Sequence, residues 1–212
     1  MKNNLFLRLN TKALAFITAF TCLGFSNSSQ ASLAVQTLYG AGHGDFSSMT
    51  PDGDILRNRF STTKMSVETH LDPFKSIPVT LGLFYSTFKA ETEVPDLSLQ
   101  QISGFDYGWD ILTWTRVKGF GLSFRYGQAL GGQYQFFVDN GDGGYTTSVF
   151  QVKNSFVGIG LATPVSDSFG VLLEYRQRIE SSFFNISKKD TEEFTPTGFD
   201  GGMVMLGIEV SV

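Results

Sequence analysis

The stretch GGMVMLGIEVSV, residues 201–212, decides the fold. From Met203 it alternates without a break. Val204, Leu206, Ile208, Val210 and Val212 fall on one side, and Met203, Met205, Gly207, Glu209 and Ser211 on the other. A period of two is that of a β-strand with one apolar face. Such a strand is a liability at a chain end, because an unpaired apolar edge invites association. The liability disappears if the last strand pairs with the first, since a closed sheet has no edges.

The same alternation recurs upstream. It predicts strands at about residues 33–46, 59–72, 78–90, 105–117, 120–138, 145–163 and 169–184, with the closing strand from Met203. DNGDGG, residues 139–144, is a hairpin tip, because Asn-Gly and Asp-Gly accept the positive φ of tight turns. The connections after strands two, four and six are predicted to be short. Those after strands one, three and seven are predicted to be about twelve to fifteen residues, from the polar runs that follow them. Short and long ends alternating around an even number of antiparallel strands describe a transmembrane β-barrel. Eight strands are counted, or ten if residues 131–152 pair as an extra hairpin in the wall.

Residues 1–31 read as a secretory signal peptide, with residues 32–212 as the barrel. Lys2, Arg8 and Lys12 precede an apolar run at residues 13–25 and a small-residue cleavage pattern ending at Ala31. The single cysteine, Cys22, lies in that segment, so the exported chain would contain no disulfide. Thirteen bases would remain against twenty acids. An acidic chain without a basic patch is a poor nucleic-acid binder. Abundant phenylalanine and glycine, 21 and 23 residues, suit β-structure.

Alternation alone does not say which face is inside. A soluble, lipocalin-like binding barrel would turn the apolar face inward, and a membrane barrel the polar one. Three features favour the membrane. The polar face is rich in small residues that a narrow lumen needs, among them Gly108, Ser123, Gly127, Gly158, Gly160 and Gly207. Aromatics at strand ends, including Tyr107, Trp109, Phe120, Tyr126 and Tyr175, suit the headgroup level. The polar face also carries balanced charge. Lys64, Arg116, Arg125, Arg176 and Arg178 oppose Glu68, Asp110, Glu174, Glu180 and Glu209, with His70 beside them. Pairing is what makes a buried charge tolerable.

On these features the chain resembles the small Gram-negative outer-membrane barrels, the eight-stranded OmpA-, OmpX- and OmpW-like group. The resemblance implies an all-β, up-and-down transmembrane barrel in the outer membrane. Outer-membrane lipid and lipopolysaccharide would surround it, and the barrel-assembly machinery would insert it as a monomer. The signal read by that machinery would be Gly207, Val210 and Val212, where the family more often ends on an aromatic. No cofactor or metal is expected.

Catalytic motifs are sparse. Small outer-membrane barrels that modify lipid use a Ser/His/acid set on the outer rim, but His43 and His70 are the only histidines here. His43 has Asp45, Ser47 and Ser48 nearby, an ordinary composition for a polar strand end. Acids outnumber bases on the side assigned to the exterior, with Asp52, Glu93, Asp106, Asp139 and Glu193 among them. They point to loop solubility, or to divalent cations shared with lipopolysaccharide phosphates. The expected role is structural or in surface interaction, with a charge-plugged lumen and no catalysis. A narrow channel lined by Phe84, Phe88, Trp114, Met203 and Met205 is the alternative.

Overall fold

In the computed structural model, the described residues are 32–49, 52–72, 78–94, 99–117, 120–139, 141, 143–185 and 195–211. The expected signal peptide and Val212 lie outside them. Eight strands follow one another: β1 (Ser32–Met49), β2 (Ile55–Asp72), β3 (Val79–Thr92), β4 (Leu99–Val117), β5 (Phe120–Asp139), β6 (Tyr145–Ser166), β7 (Phe169–Asn185) and β8 (Thr195–Ser211). Each pairs antiparallel with its sequence neighbours, and β8 returns to β1 to close the ring. Residues 131–152 continue β5 and β6 outward, so the wall has eight strands. At the seam, Val210 pairs with Val35, Leu206 with Tyr39 and Val204 with Ala41. The closing strand is therefore hydrogen-bonded on both edges.

The strands reach further than the alternation predicted. Residues 47–49, 55–58, 91–92, 99–104 and 195–202 extend the ladders into segments read as loop. The connections after β1, β3 and β7 shrink to residues 50–54, 93–98 and 186–194.

Over the half of the wall nearest the chain termini, the apolar face points outward. Leu206 is 60% exposed, and Leu81, Phe124, Ile159, Leu161, Leu173 and Val204 are exposed with it. On β7 this belt runs from Phe169 to Tyr175, and on β8 from Val204 to Val210. At the usual strand rise it is about 20 Å long, or about 15 Å tall once the barrel tilt is applied, the greater part of the apolar band of a membrane barrel. Tyr39, Tyr107, Tyr126 and Tyr175 stand along its upper margin, where amphipathic rings meet headgroups.

Beyond the tyrosines the polarity of the wall inverts. Arg57, Arg59, Lys89, Gln133, Gln151, Lys153 and Asp200 now point outward and are exposed. Phe46, Phe60, Phe88, Ile102, Tyr134, Phe136, Val138, Phe150, Val152 and Phe199 point inward and form one buried cluster. The sequence led us to expect apolar-out along whole strands. The outer half is instead built like a water-soluble barrel, because there the surrounding medium is water.

Bulges accompany the inversion. Tyr107 pairs with Gly131 and Gly108 with Ala129, which leaves Leu130 as an extra residue in β5. Ser155 pairs with Glu180 and Phe156 with Arg178, which leaves Ile179 extra in β7. Each extra residue shifts the inward parity by one.

Candidate functional site

Among the described residues, the buried charged groups gather in the interior. In the membrane-level half, Arg125 of β5 is the hub. Its Nη1 donates to Glu68 Oε2 at 2.6 Å and also to Asp110. Its Nε lies 3.0 Å from Glu174 Oε1, and its Nη2 donates to Gln36 Oε1 at 2.9 Å. Arg176 of β7 grips Glu68 with two donors, at 2.6 and 3.0 Å, and donates from Nε to Glu174 at 2.6 Å. Ser66 Oγ donates to Glu68 Oε1 at 2.7 Å, and Gln36 Nε2 to Glu209 Oε2 at 2.6 Å. Bidentate guanidinium–carboxylate pairs of this kind fix geometry as well as charge.

Small residues make the space. A Cβ on Gly158 would stand 2.5 Å from Glu174 Oε1, and one on Gly82 would enter the Asp110 carboxylate and the His70 ring. Glycine here serves close approach rather than a special backbone conformation.

A second tier lies above. Asp106 of β4 accepts from Ser86, from Asn154 Nδ2 at 2.9 Å, from Tyr134 OH at 3.1 Å and from Lys64 Nζ at 3.3 Å. Lys64 also stands over the rings of Phe84 and Phe156, at 5.8 and 5.7 Å. Arg178 packs its guanidinium on Phe199 at 4.6 Å and Phe88 at 5.2 Å. Above this tier the interior is the aromatic cluster, with Phe46 at its centre against Phe60, Phe136, Phe183 and Phe199.

Comparison with solved structures places this architecture. The chain is similar to Neisserial surface protein A (NspA), with 12% identity over 85% of this chain and 97% of that one, at a TM-score of 0.53. It is similar to the outer membrane protein AlkL, whose structure was determined in DMPC lipid bilayers. That match has 10% identity over 88% of this chain and 92% of that one, at a TM-score of 0.50. No family model and no curated protein matches the sequence. The fold is that of an eight-stranded outer-membrane β-barrel. With the lipid-facing belt it makes this chain a transmembrane barrel.

Within that outer-membrane barrel fold, the structure brings together Lys64, Glu68, His70, Asp110, Arg125, Glu174, Arg176 and Arg178, all buried. Glu209 joins through Gln36 at the edge. Glu180 was expected in this network but is exposed, because the bulge at Ile179 turns it to the outer surface. The side chain of Arg116 lies outside the described residues. Asp106, expected among the exterior acids, is fully buried, because β4 begins at Leu99 and places it in mid-strand. Ser66, on the same strand face as Lys64 and Glu68, is buried with them, and Gln36, Ser86, Tyr134 and Asn154 also belong to the interior and were missed. Neutral polar residues give no charge signal; Gln36, Ser66, Ser86 and Asn154 keep the inward parity of their strands, and Tyr134 turns inward only past the bulge at Leu130.

Of the expected interface aromatics, Tyr107, Phe120, Tyr126 and Tyr175 are exposed on the outer wall, and Trp109 packs against Tyr126 in a tilted contact with ring centroids 5.8 Å apart. Gly207 pairs with Leu38 and Val210 with Val35. Phe84, Phe88 and Met205, considered as lining for an apolar passage, are buried, and the first two are packed in ring contacts with Phe156 and Phe199. His43 sits on the outer wall, where its Nδ1 lies 2.5 Å from Glu93 Oε1.

Glu68, His70 and Asp110 bring donor atoms within 4.8 Å of one another, a spacing that could hold a metal ion. Arg125 Nη1 already lies within hydrogen-bond distance of all three. The guanidinium fills the position a cation would take.

Proposed function

We propose that this chain is a monomeric outer-membrane barrel with a structural or surface-interaction role, no catalytic activity, and a lumen closed to steady ion flow. The observation that carries the reading is the double filling of the bore. Paired charges occupy the membrane-level half, and the phenylalanine cluster around Phe46 and Phe136 occupies the outer half. Eight strands leave an interior that side chains can fill completely.

The outer half supports the surface role. Its apolar core makes a stalk that holds the β1–β2 and β5–β6 hairpin tips above the membrane by about 25–30 Å, from the rise and tilt of strands. Exposed Met49, Ile55 and Leu56 lie toward the β1–β2 tip and Tyr145 at the β5–β6 hairpin, where apolar groups are available for contact. In this reading the lipid partners are outer-membrane lipid and lipopolysaccharide, and Gly207 and Val210 belong to the strand read at assembly.

The test is planar-bilayer recording of the purified, refolded barrel. Flat traces across the voltage range are expected. Large, stable single-channel steps would overturn the closed-lumen reading.

A further inference from the structure

Between the ion-pair tier and the phenylalanine cluster lies a cavity of about 20 Å³. Its lining includes Lys64, Arg176 and Arg178 together with Thr62 and Asn154, and it contains no carboxylate. Two atoms of that lining, Arg178 Nη1 and Thr62 Oγ1, are buried and have no hydrogen-bond partner among the described residues. Both are able to donate.

The charge pattern around the cavity is uneven. Glu68 and Glu174 are held by Arg125 and Arg176, Asp110 by Arg125 and His70, and Asp106 by Lys64. Among the described residues, Arg178 alone of the four buried cations has no carboxylate within ion-pair distance. Its guanidinium packs on aromatic faces and donates from Nη2 to the Tyr134 hydroxyl at 3.3 Å, which in turn donates to Asp106, so it reaches a carboxylate only at second hand. A guanidinium does not discharge by losing its proton, and a buried charge with no direct ion-pair partner and an unused donor is unfavourable.

We propose that this cavity is a binding site for one small monatomic anion, of chloride size, held by Arg178 Nη1 and Thr62 Oγ1 with Lys64 and Arg176 completing the positive surround. The volume selects the ligand class. A cavity of this kind holds one water-sized body, and an oxyanion such as phosphate would need several times the room. The anion supplies the direct ion-pair partner that Arg178 lacks and joins the two halves of the interior. This inference does not depend on the surface role proposed above.

The test is crystallographic and thermodynamic. Crystals of the full barrel grown in bromide are expected to show an anomalous peak within 3.5 Å of Arg178 Nη1, using about the outer limit of hydrogen-bond contact. In detergent, the half-unfolding temperature read by heat-dependent gel migration should rise with chloride at constant ionic strength, with gluconate as the replacement anion. Thr62→Val removes one donor while keeping the shape, and should reduce both the peak and the chloride dependence. Arg178→Gln should abolish both. If Arg178→Gln fails to fold, Thr62→Val still decides. Density for water without anomalous signal, or a half-unfolding temperature indifferent to chloride in the wild type, would overturn the proposal.

Discussion

Arg125 and Glu68 meet across the barrel interior at 2.6 Å, and neither side chain has measurable exposure. They come from β5 and β2, which are not neighbours in the wall, so the contact ties the barrel across its bore as well as around it. Glu68 also carries both donors of Arg176. Replacing Glu68 with Gln removes the charge that two buried guanidinium groups share. The expected loss is about 3–5 kcal/mol of folding free energy, the range for orphaning one partner of a buried ion pair. Reversible denaturant unfolding in lipid vesicles measures it. A loss below about 1 kcal/mol would mean that water reaches the cluster.

The belt and the stalk should respond oppositely to charge. Leu173 lies in mid-belt, paired with Leu161 and Leu206. Leu173→Arg should cost about 2–4 kcal/mol, as for a lipid-facing position near the bilayer midplane. Gln151 is exposed on β6 above the belt. Gln151→Arg should stay within about 0.5 kcal/mol of wild type, as for an ordinary surface position in water. Equal costs at the two positions would place the membrane boundary wrongly.

The membrane-level half was legible because one medium acts along its whole length. Val204 to Val210, Leu81 and Leu83, and Phe120 to Tyr126 keep one phase, and the charged residues on the other phase do face the interior. The outer half hid itself by changing solvent in mid-strand. Gln101 and Ser103 look like loop residues, yet they face water from a strand whose Ile102 is buried in the phenylalanine cluster. Asp106 was misplaced for the same reason, since the strand was started after it should have been. Parity supplied a second difficulty. Leu130 and Ile179 are bulged residues, and a fixed period of two carried past Ile179 puts Glu180 on the wrong side of the wall.

The stalk should depend on its phenylalanines as a soluble core does. Phe46 packs against the rings of Phe60, Phe136, Phe183 and Phe199, with the Phe136 centroid at 5.2 Å. Phe46→Ala should cost about 3–5 kcal/mol, the range for deleting a buried aromatic ring. Tyr39, seven residues away on the same strand, faces outward at 61% exposure. Tyr39→Ala leaves no internal cavity and should cost less than Phe46→Ala. The two variants, unfolded side by side in the same vesicles, separate core packing from lipid contact.

Two glycines on the inward face offer the sharpest contrast. At Gly158 an added methyl would stand 2.5 Å from Glu174 Oε1 and 3.4 Å from Arg125 Cβ, inside the ion cluster. The carboxylate cannot retreat without loosening its contacts to Arg125 and Arg176, so Gly158→Ala should cost about 1–3 kcal/mol through overpacking. At Gly121 the nearest atom is Ala162 Cβ at 3.5 Å, an ordinary contact. There the methyl fits, and the stiffer unfolded chain should make Gly121→Ala neutral or stabilising by about 0.4–1 kcal/mol. Half-unfolding temperatures on unheated-to-heated gel series rank the two against wild type. A Gly158→Ala barrel as stable as the Gly121→Ala barrel would show that the cluster is loosely packed, and with it the argument that its glycines exist to seat Glu174 would fall.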